Sequence, residues 1–196
     1  MPLMLLLCVP FASALLILLF PLKEKRLKAA AVLLSLSTLL WLAVFQGSAL
    51  GMSTKLSWIP SLSLDLYLSV DALSLVFLIL TALVIPFSLL ASSGANKETE
   101  SPLFLSLVLL LQGLLIGFFL ARDLLLFTVF FECMLFPLFL IISIWGGTKR
   151  DEASFQFILS MIAGSCLMIL ALVALYFASA TALGSGTFDM DKLSKI

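Results

Sequence analysis

Apolar residues in this chain gather into six runs that could cross a bilayer, broken by short polar connections and by one segment of a different period. The runs are Pro2 to Leu22, Ala29 to Phe45, Ala72 to Ala91, Pro102 to Leu120, Leu124 to Trp145 and Ala153 to Ala180. Each is close to or longer than the roughly 20 residues a helix needs to span about 30 Å of hydrocarbon. The last is longer than needed, so it is expected to tilt or to emerge at one end. Between the second and third runs, Leu62, Leu64, Leu66 and Leu68 alternate with Ser61, Ser63, Asp65, Tyr67 and Ser69. A period of two predicts a strand, and with Lys55 to Ile59 before Pro60 it predicts a small hairpin; an amphipathic surface loop is the alternative. A two-stranded hairpin is marginal alone, so it should rest on a neighbour.

The expected fold class is therefore all-α integral membrane, with six transmembrane helices and a small outer β-hairpin. Its parts are helices 1 and 2 (1–46), the hairpin or loop (47–70), helix 3 with an inner loop (71–101), helices 4 to 6 (102–180) and an outer tail (181–196). Composition agrees: 63% of residues are hydrophobic, only 11% are charged, and mean hydropathy is +1.26. Soluble proteins run at about 45–50% apolar and 25% charged, so a soluble enzyme or a nucleic-acid-binding module is excluded. Partners are to be sought in the membrane, beginning with its lipids.

Charge placement gives an orientation. Lys23, Lys25, Arg26 and Lys28 follow the first apolar run instead of preceding it, which fits a retained first helix and not a cleaved signal. If that cluster is inside, so are Lys97, Lys149 and Arg150, while Lys55, Arg122, Lys192 and Lys195 fall outside; both termini then face outward. Cys8, Cys133 and Cys166 lie in apolar runs without paired spacing and the chain has no histidine, which argues against metal, haem and flavin sites and against a structural disulfide.

Among 22 charged residues, Glu132 alone sits near the centre of an apolar run. Insertion scales set an ionised residue there at about 2.5–3.5 kcal/mol, and such residues mark ion or proton paths. Thr128 one turn earlier and Ser143 further along share its helix face, giving a thin polar stripe. Pro137 cannot donate to the carbonyl of Cys133, which leaves an acceptor beside the carboxylate and is expected to kink the helix. Along the axis Lys149 and Arg150 are about 25 Å from Glu132 and Arg122 about 15 Å, beyond side-chain reach. Either Glu132 is protonated and hydrogen-bonded, or another polypeptide supplies a cation. Asp71, opening the third helix, reads as a cap, and Arg122 with Asp123 as interfacial anchors.

The stretch from Asp123 through Phe130-Phe131-Glu132 to Phe136-Pro137, followed by Trp145-Gly146-Gly147, closely resembles chain 4 of respiratory NADH:ubiquinone oxidoreductase, chain M in bacteria. The resemblance continues through Leu68 to Leu75, Pro86, Ala153 to Phe157 and Gly164-Ser165, and covers nearly the whole chain. It implies an antiporter-like membrane subunit of complex I, working in proton translocation coupled to NADH:ubiquinone electron transfer. In that family the glutamate matching Glu132 interacts with a lysine on a broken seventh helix, with Thr128, Cys133 and Pro137 as its surroundings here. The outer hairpins of the family help link neighbouring antiporter-like subunits.

Family members carry many more helices, in two inverted units, so a split subunit is the expectation: a second polypeptide would bring the remaining helices and the pump lysines. This chain would hold no cofactor itself, with NADH, FMN, iron–sulfur clusters and ubiquinone in other subunits of the translocase. The resemblance places it in the mitochondrial inner membrane and organelle-encoded, with a bacterial plasma membrane or thylakoid as alternatives. The competing functional readings are a fragment of a cation/proton antiporter or membrane hydrogenase subunit, and a non-pumping scaffold of the membrane arm.

Overall fold

The computed structural model describes residues 2–19, 24–45, 50–59, 64–92 and 101–194. Its elements in chain order are α1 (Pro2–Leu19), α2 (Glu24–Phe45), β1 (Ser53–Ile59), β2 (Leu64–Ser69), α3 (Ala72–Ala91), α4 (Pro102–Leu120), α5 (Leu124–Trp145), α6 (Arg150–Leu183) and α7 (Met190–Leu193). The first six helices are each long and apolar enough to cross a membrane. Those expected from Ala72, Pro102 and Leu124 keep their limits, because each start carries its own signal. Asp71 forms a capping box with Ser74, Ser101 caps a helix whose first residue is Pro102, and the Asp123 carboxylate accepts from Leu125 N and Leu126 N.

Two helices outrun their apolar cores. α2 begins at Glu24 instead of Ala29, since Glu, Lys and Arg are good helix formers. α6 runs from Arg150 to Leu183, with Asp151 and Glu152 complementing the dipole of its first turn. It stops at Gly184, whose φ of 77° is a left-handed cap that a side chain would strain. The end expected for the first span at Leu22, and the hairpin turn around Pro60, lie outside the described residues.

The helices pack as a bundle around α4, the most enclosed of the six, while α6 is the least. Two apolar clusters stack along its length. One joins Leu3, Leu6 and Leu7 of α1 to Leu42, Leu78, Ile116, Leu120 and Leu126 at the hairpin end. The other joins Ile17, Leu27, Ala31, Leu89, Leu105 and Leu109 at the opposite end. The start of α1, the hairpin and the segment after α6 thus lie at one end of the bundle. The opposite end carries Arg26, Lys28, Lys149 and Arg150, at the beginnings of α2 and α6.

Gly113 and Gly117, one turn apart on α4, let its neighbours close in. A Cβ on Gly113 would stand 3.1 Å from the Phe11 ring, and one on Gly117 would run into the ring of Phe130. Small residues at such spacing let helix backbones approach closely in membranes.

The hairpin is antiparallel with Lys55 opposite Tyr67 and Thr54 opposite Leu68, and its register slips between Ser57 and Ile59. Alternation sends Leu68, fully buried, and Leu66 into the hairpin-end cluster, as the period-two pattern anticipates. The opposite face carries charge: Lys55 Nζ lies 3.0 Å from Asp65 Oδ2 and 3.2 Å from Asp189 Oδ2, and 5.0 Å above the Tyr67 ring. The Tyr67 hydroxyl donates to Asp191 at 2.8 Å. Bonding to Asp65, with Asp189 adding to it, holds the Lys55 ammonium above the ordinary lysine range despite some desolvation.

Gly117→Ala is expected to cost about 1–3 kcal/mol by overpacking against Phe130, lowering Tm in detergent, with Phe130→Leu recovering part of the loss; an unchanged Tm would show that α4 and α5 are not in close contact there. Asp71 gives a pH dependence. Its Ser74 hydrogen bonds, helped by Arg122 at 3.0 Å, hold its carboxyl below the usual range. The stabilisation is therefore present above the unfolded value of about 3.9 and is lost as pH falls through the lower folded value. Asp71→Asn should lower Tm at pH 7, and the gap from the parent should close below about pH 4.

Candidate functional site

α5 places Glu132 at mid-helix, about 12 Å along the axis from its first residue. The face containing Leu125, Thr128, Val129, Glu132 and Cys133 turns toward Ile169, Leu172 and Val173 of α6, and together with Phe188 these residues line an open cavity of about 370 Å³. Both rows follow the three-and-four spacing that brings residues to one side of a helix. Phe188 reaches the cavity because the chain turns back after Gly184: its ring stacks on Tyr176 at 5.0 Å and its carbonyl accepts from Leu124 N at 2.9 Å.

The Glu132 Oε1 atom is buried and accepts no hydrogen bond among the described residues. Leaving a buried polar atom unsatisfied costs about 1–3 kcal/mol, and more for a charged group. Thr128, which shares the cavity, donates its hydroxyl at 2.8 Å to Leu124 O of its own helix and not to the carboxylate. Ser143 likewise turns to Leu140 O and does not line the cavity. The polar stripe is therefore a set of separately satisfied hydroxyls beside one unsatisfied carboxylate. Cys133 lines the cavity as a free thiol, as Cys8 and Cys166 are free elsewhere. Pro137 is buried one turn further on within α5, which runs as one helix from Leu124 to Trp145.

Among the described residues, no lysine or arginine lines the cavity. Lys28 is buried, but it sits in the first turns of α2, where its Nζ donates to Ser92 Oγ at 3.3 Å. The site is thus an apolar hollow that presents one carboxylate oxygen free to accept a hydrogen bond.

Two polar features were not singled out from the sequence. Gln112, fully buried at the middle of α4, donates through Nε2 to Ser35 O at 3.1 Å and to Thr38 Oγ1 at 2.9 Å, bolting α2 to α4. Its signal was legible as a carboxamide in the centre of an apolar run. The second is a clasp at the hairpin end, where Arg122 N donates to Tyr67 O and Met190 N donates to Arg122 O. Asp123 is 2% exposed inside this clasp, and burial pushes its carboxyl up against the opposing effect of its two backbone donors. Asp189 and Asp191 sit in a stretch with little periodicity, so no sequence signal paired them with the hairpin.

Residues 4–118 match the family model described as NADH-ubiquinone oxidoreductase chain 4, amino terminus, and residues 121–196 match that described as NADH:quinone oxidoreductase/Mrp antiporter, TM. The chain is 36% identical over 140 residues to F(420)H(2) dehydrogenase subunit M of Methanosarcina mazei, covering 71% of this chain and 28% of that protein. It is 37% identical over 188 residues to NADH-ubiquinone oxidoreductase chain 4 of Chondrus crispus, covering 92% and 38%. In the structure titled "Respiratory complex I from Thermus thermophilus with bound NADH", one chain superposes with a TM-score of 0.80 at 32% identity, covering 98% of this chain and 38% of that one. The chain thus spans roughly a third of the length of the relatives it matches. A multi-span membrane bundle with this helix order, hairpin and mid-helix carboxylate, matched along almost its whole length, belongs to the chain 4/subunit M family of antiporter-like NADH:quinone oxidoreductase membrane subunits.

Proposed function

We propose that this chain forms part of the proton-translocating membrane arm of a complex I-type NADH:quinone oxidoreductase and that Glu132 is the carboxyl group that takes up and releases the proton. The observation that carries this reading is the unsatisfied Glu132 Oε1 facing the α5–α6 cavity. Buried side-chain polar atoms are for the most part hydrogen-bonded, and unlike Gln112, whose Nε2 makes two bonds, Glu132 makes none that offsets its buried oxygen among the described residues. Lateral charge transfer then needs a cation that enters the cavity from the rest of the family fold, whether continuous with this chain or on a separate polypeptide. The weakly enclosed α6 supports such a contact. Redox chemistry, with its nucleotide, flavin, iron–sulfur and quinone sites, belongs to other subunits in this reading. The charge bias between the two ends supports the hairpin facing outward, the intermembrane-space side in a mitochondrial inner membrane.

A second reading, a subunit of a cation/proton antiporter, is favoured by the family description shared with Mrp antiporters over residues 121–196, which contains Glu132. The match of residues 4–118 to a model specific to chain 4 supports the first.

The deciding experiment is Glu132→Gln in the assembled complex in membrane vesicles. The proton-to-electron ratio should fall while assembly and uncoupled quinone reduction are retained; an unchanged ratio would overturn the proposal and favour a scaffold. Glu132→Leu separates function from folding, because removing an unpaired buried acceptor should stabilise the bundle by about 1–3 kcal/mol while abolishing the Glu132 contribution to pumping. A lower Tm for that variant would mean the carboxylate has a structural partner.

A further inference from the structure

On the side of the bundle formed by α3 and α4, two hollows lie one below the other. The upper one, of about 440 Å³ at the hairpin end, is lined by Asp71, Ser74, Phe118, Arg122 and Phe127 among others. The lower one, of about 280 Å³, reaches Leu80, Val84 and Leu115. They share one wall, the parallel ring pair Phe77 and Phe119 at 4.8 Å, so they form successive parts of one groove.

The groove changes chemistry along its length. At the top, Arg122 Nη2 lies 3.0 Å from Asp71 Oδ2, with both side chains partly exposed. Asp71 is ionised there, and the guanidinium has further N–H donors beyond the one on Asp71. Below Ser74 the wall is aromatic and aliphatic, and Thr81 has its hydroxyl turned away to Phe77 O. Ser74 to Val84 measures about 15 Å along the axis, half of the roughly 30 Å hydrocarbon thickness. That is the depth reached by one leaflet of acyl chains.

We propose that this groove is a binding site for a zwitterionic phospholipid of the hairpin-side leaflet. Its phosphate accepts from Arg122, its ammonium sits by the Asp71 carboxylate, and one acyl chain lies over Phe77 and Phe119 down to Val84. A cation and an anion side by side at the rim complement a head group that carries both signs. An anionic head group would meet Asp71 with its surplus charge. The site lies on the α3–α4 side of the bundle, with Phe127 of α5 at its upper end, whereas Glu132 faces α6 and lines neither hollow, so it stands or falls independently of the proton-transfer reading.

The test uses the intact complex in nanodiscs containing phosphatidylethanolamine with a photoactivatable diazirine midway along its chain, and locates the label by peptide mass spectrometry. Label should concentrate at Leu80, Val84 and Leu115 by about tenfold over other labelled positions, as one charge-assisted hydrogen bond to a head group would give. Phosphatidylglycerol of the same chains should not show this enrichment. Even labelling over the chain would mean annular lipid only, equal enrichment with phosphatidylglycerol would remove the head-group match, and a groove covered by another polypeptide would exclude lipid; each overturns the proposal. Arg122→Gln and Asp71→Asn should abolish the enrichment. Because both also touch the clasp, Val84→Trp, which blocks only the tail end, serves as the second variant, and full labelling in that variant would equally overturn the site.

Discussion

Everything in this bundle answers to the absence of water around its spans. A polar group in hydrocarbon must find its partner within the protein, so the chain crosses as helices whose backbone is self-satisfied. The same rule governs the side chains. The hydroxyls of Ser13, Thr38, Thr81, Thr128 and Ser165 each donate to a carbonyl three or four residues back in their own helix. Against that background two buried oxygens, Oε1 of Gln112 and Oε1 of Glu132, stand without a partner among the described residues. Gln112 is compensated by two bonds from its Nε2, which tie α2 to α4. Glu132 has no such compensation within the described residues, and a retained cost of that kind fits a group kept for its chemistry.

The position of that group depends on how the chain behaves where it leaves the helices. At the hairpin end the backbone of β2, the α4–α5 turn and the segment before α7 bond edge to edge, through Tyr67, Arg122, Phe188 and Met190. Ion pairs of Lys55 with Asp65 and Asp189 tie the hairpin's polar face to the same segment. Surface ion pairs of this exposure contribute little each, so the alignment rests on the backbone bonds and on buried Leu68. Phe188 belongs to both regions: its carbonyl is part of the clasp and its side chain lines the Glu132 cavity. A shift of the hairpin and tail would therefore reach the cavity wall through one residue.

Glycine and aromatic residues provide the remaining fit. Gly117 receives the Phe130 ring and Gly186 receives the Tyr176 ring, each where a Cβ could not stand. Phe118 meets Phe119, Phe127 and Phe131 around the upper half of α4 and α5. These contacts fix how α5 is rotated, and that rotation decides whether Glu132 faces α6 or lipid. Van der Waals fit of this kind drives helix association in membranes, where apolar side chains gain little by leaving lipid.

The sequence by itself determined six spans, the hairpin, the cap at Asp71, and Glu132 as the residue out of place, whereas Asp123, read from the sequence as an interfacial anchor, is the N-cap of α5. These follow from periods, run lengths and local hydrogen-bonding preferences, which act over a few residues. It also carried the family resemblance, through the residues around Glu132 and the Trp145-Gly146-Gly147 block. The tertiary structure decided which faces meet: that Thr128 shares the cavity without bonding the carboxylate, that Ser143 does not reach it, that Gln112 is a bolt, and that Asp189 and Asp191 close on the hairpin. Partners far apart in sequence leave no period to read, and in a chain that is apolar on nearly every side hydrophobicity does not say which face turns inward. Close packing and the need to satisfy buried polar groups make that choice.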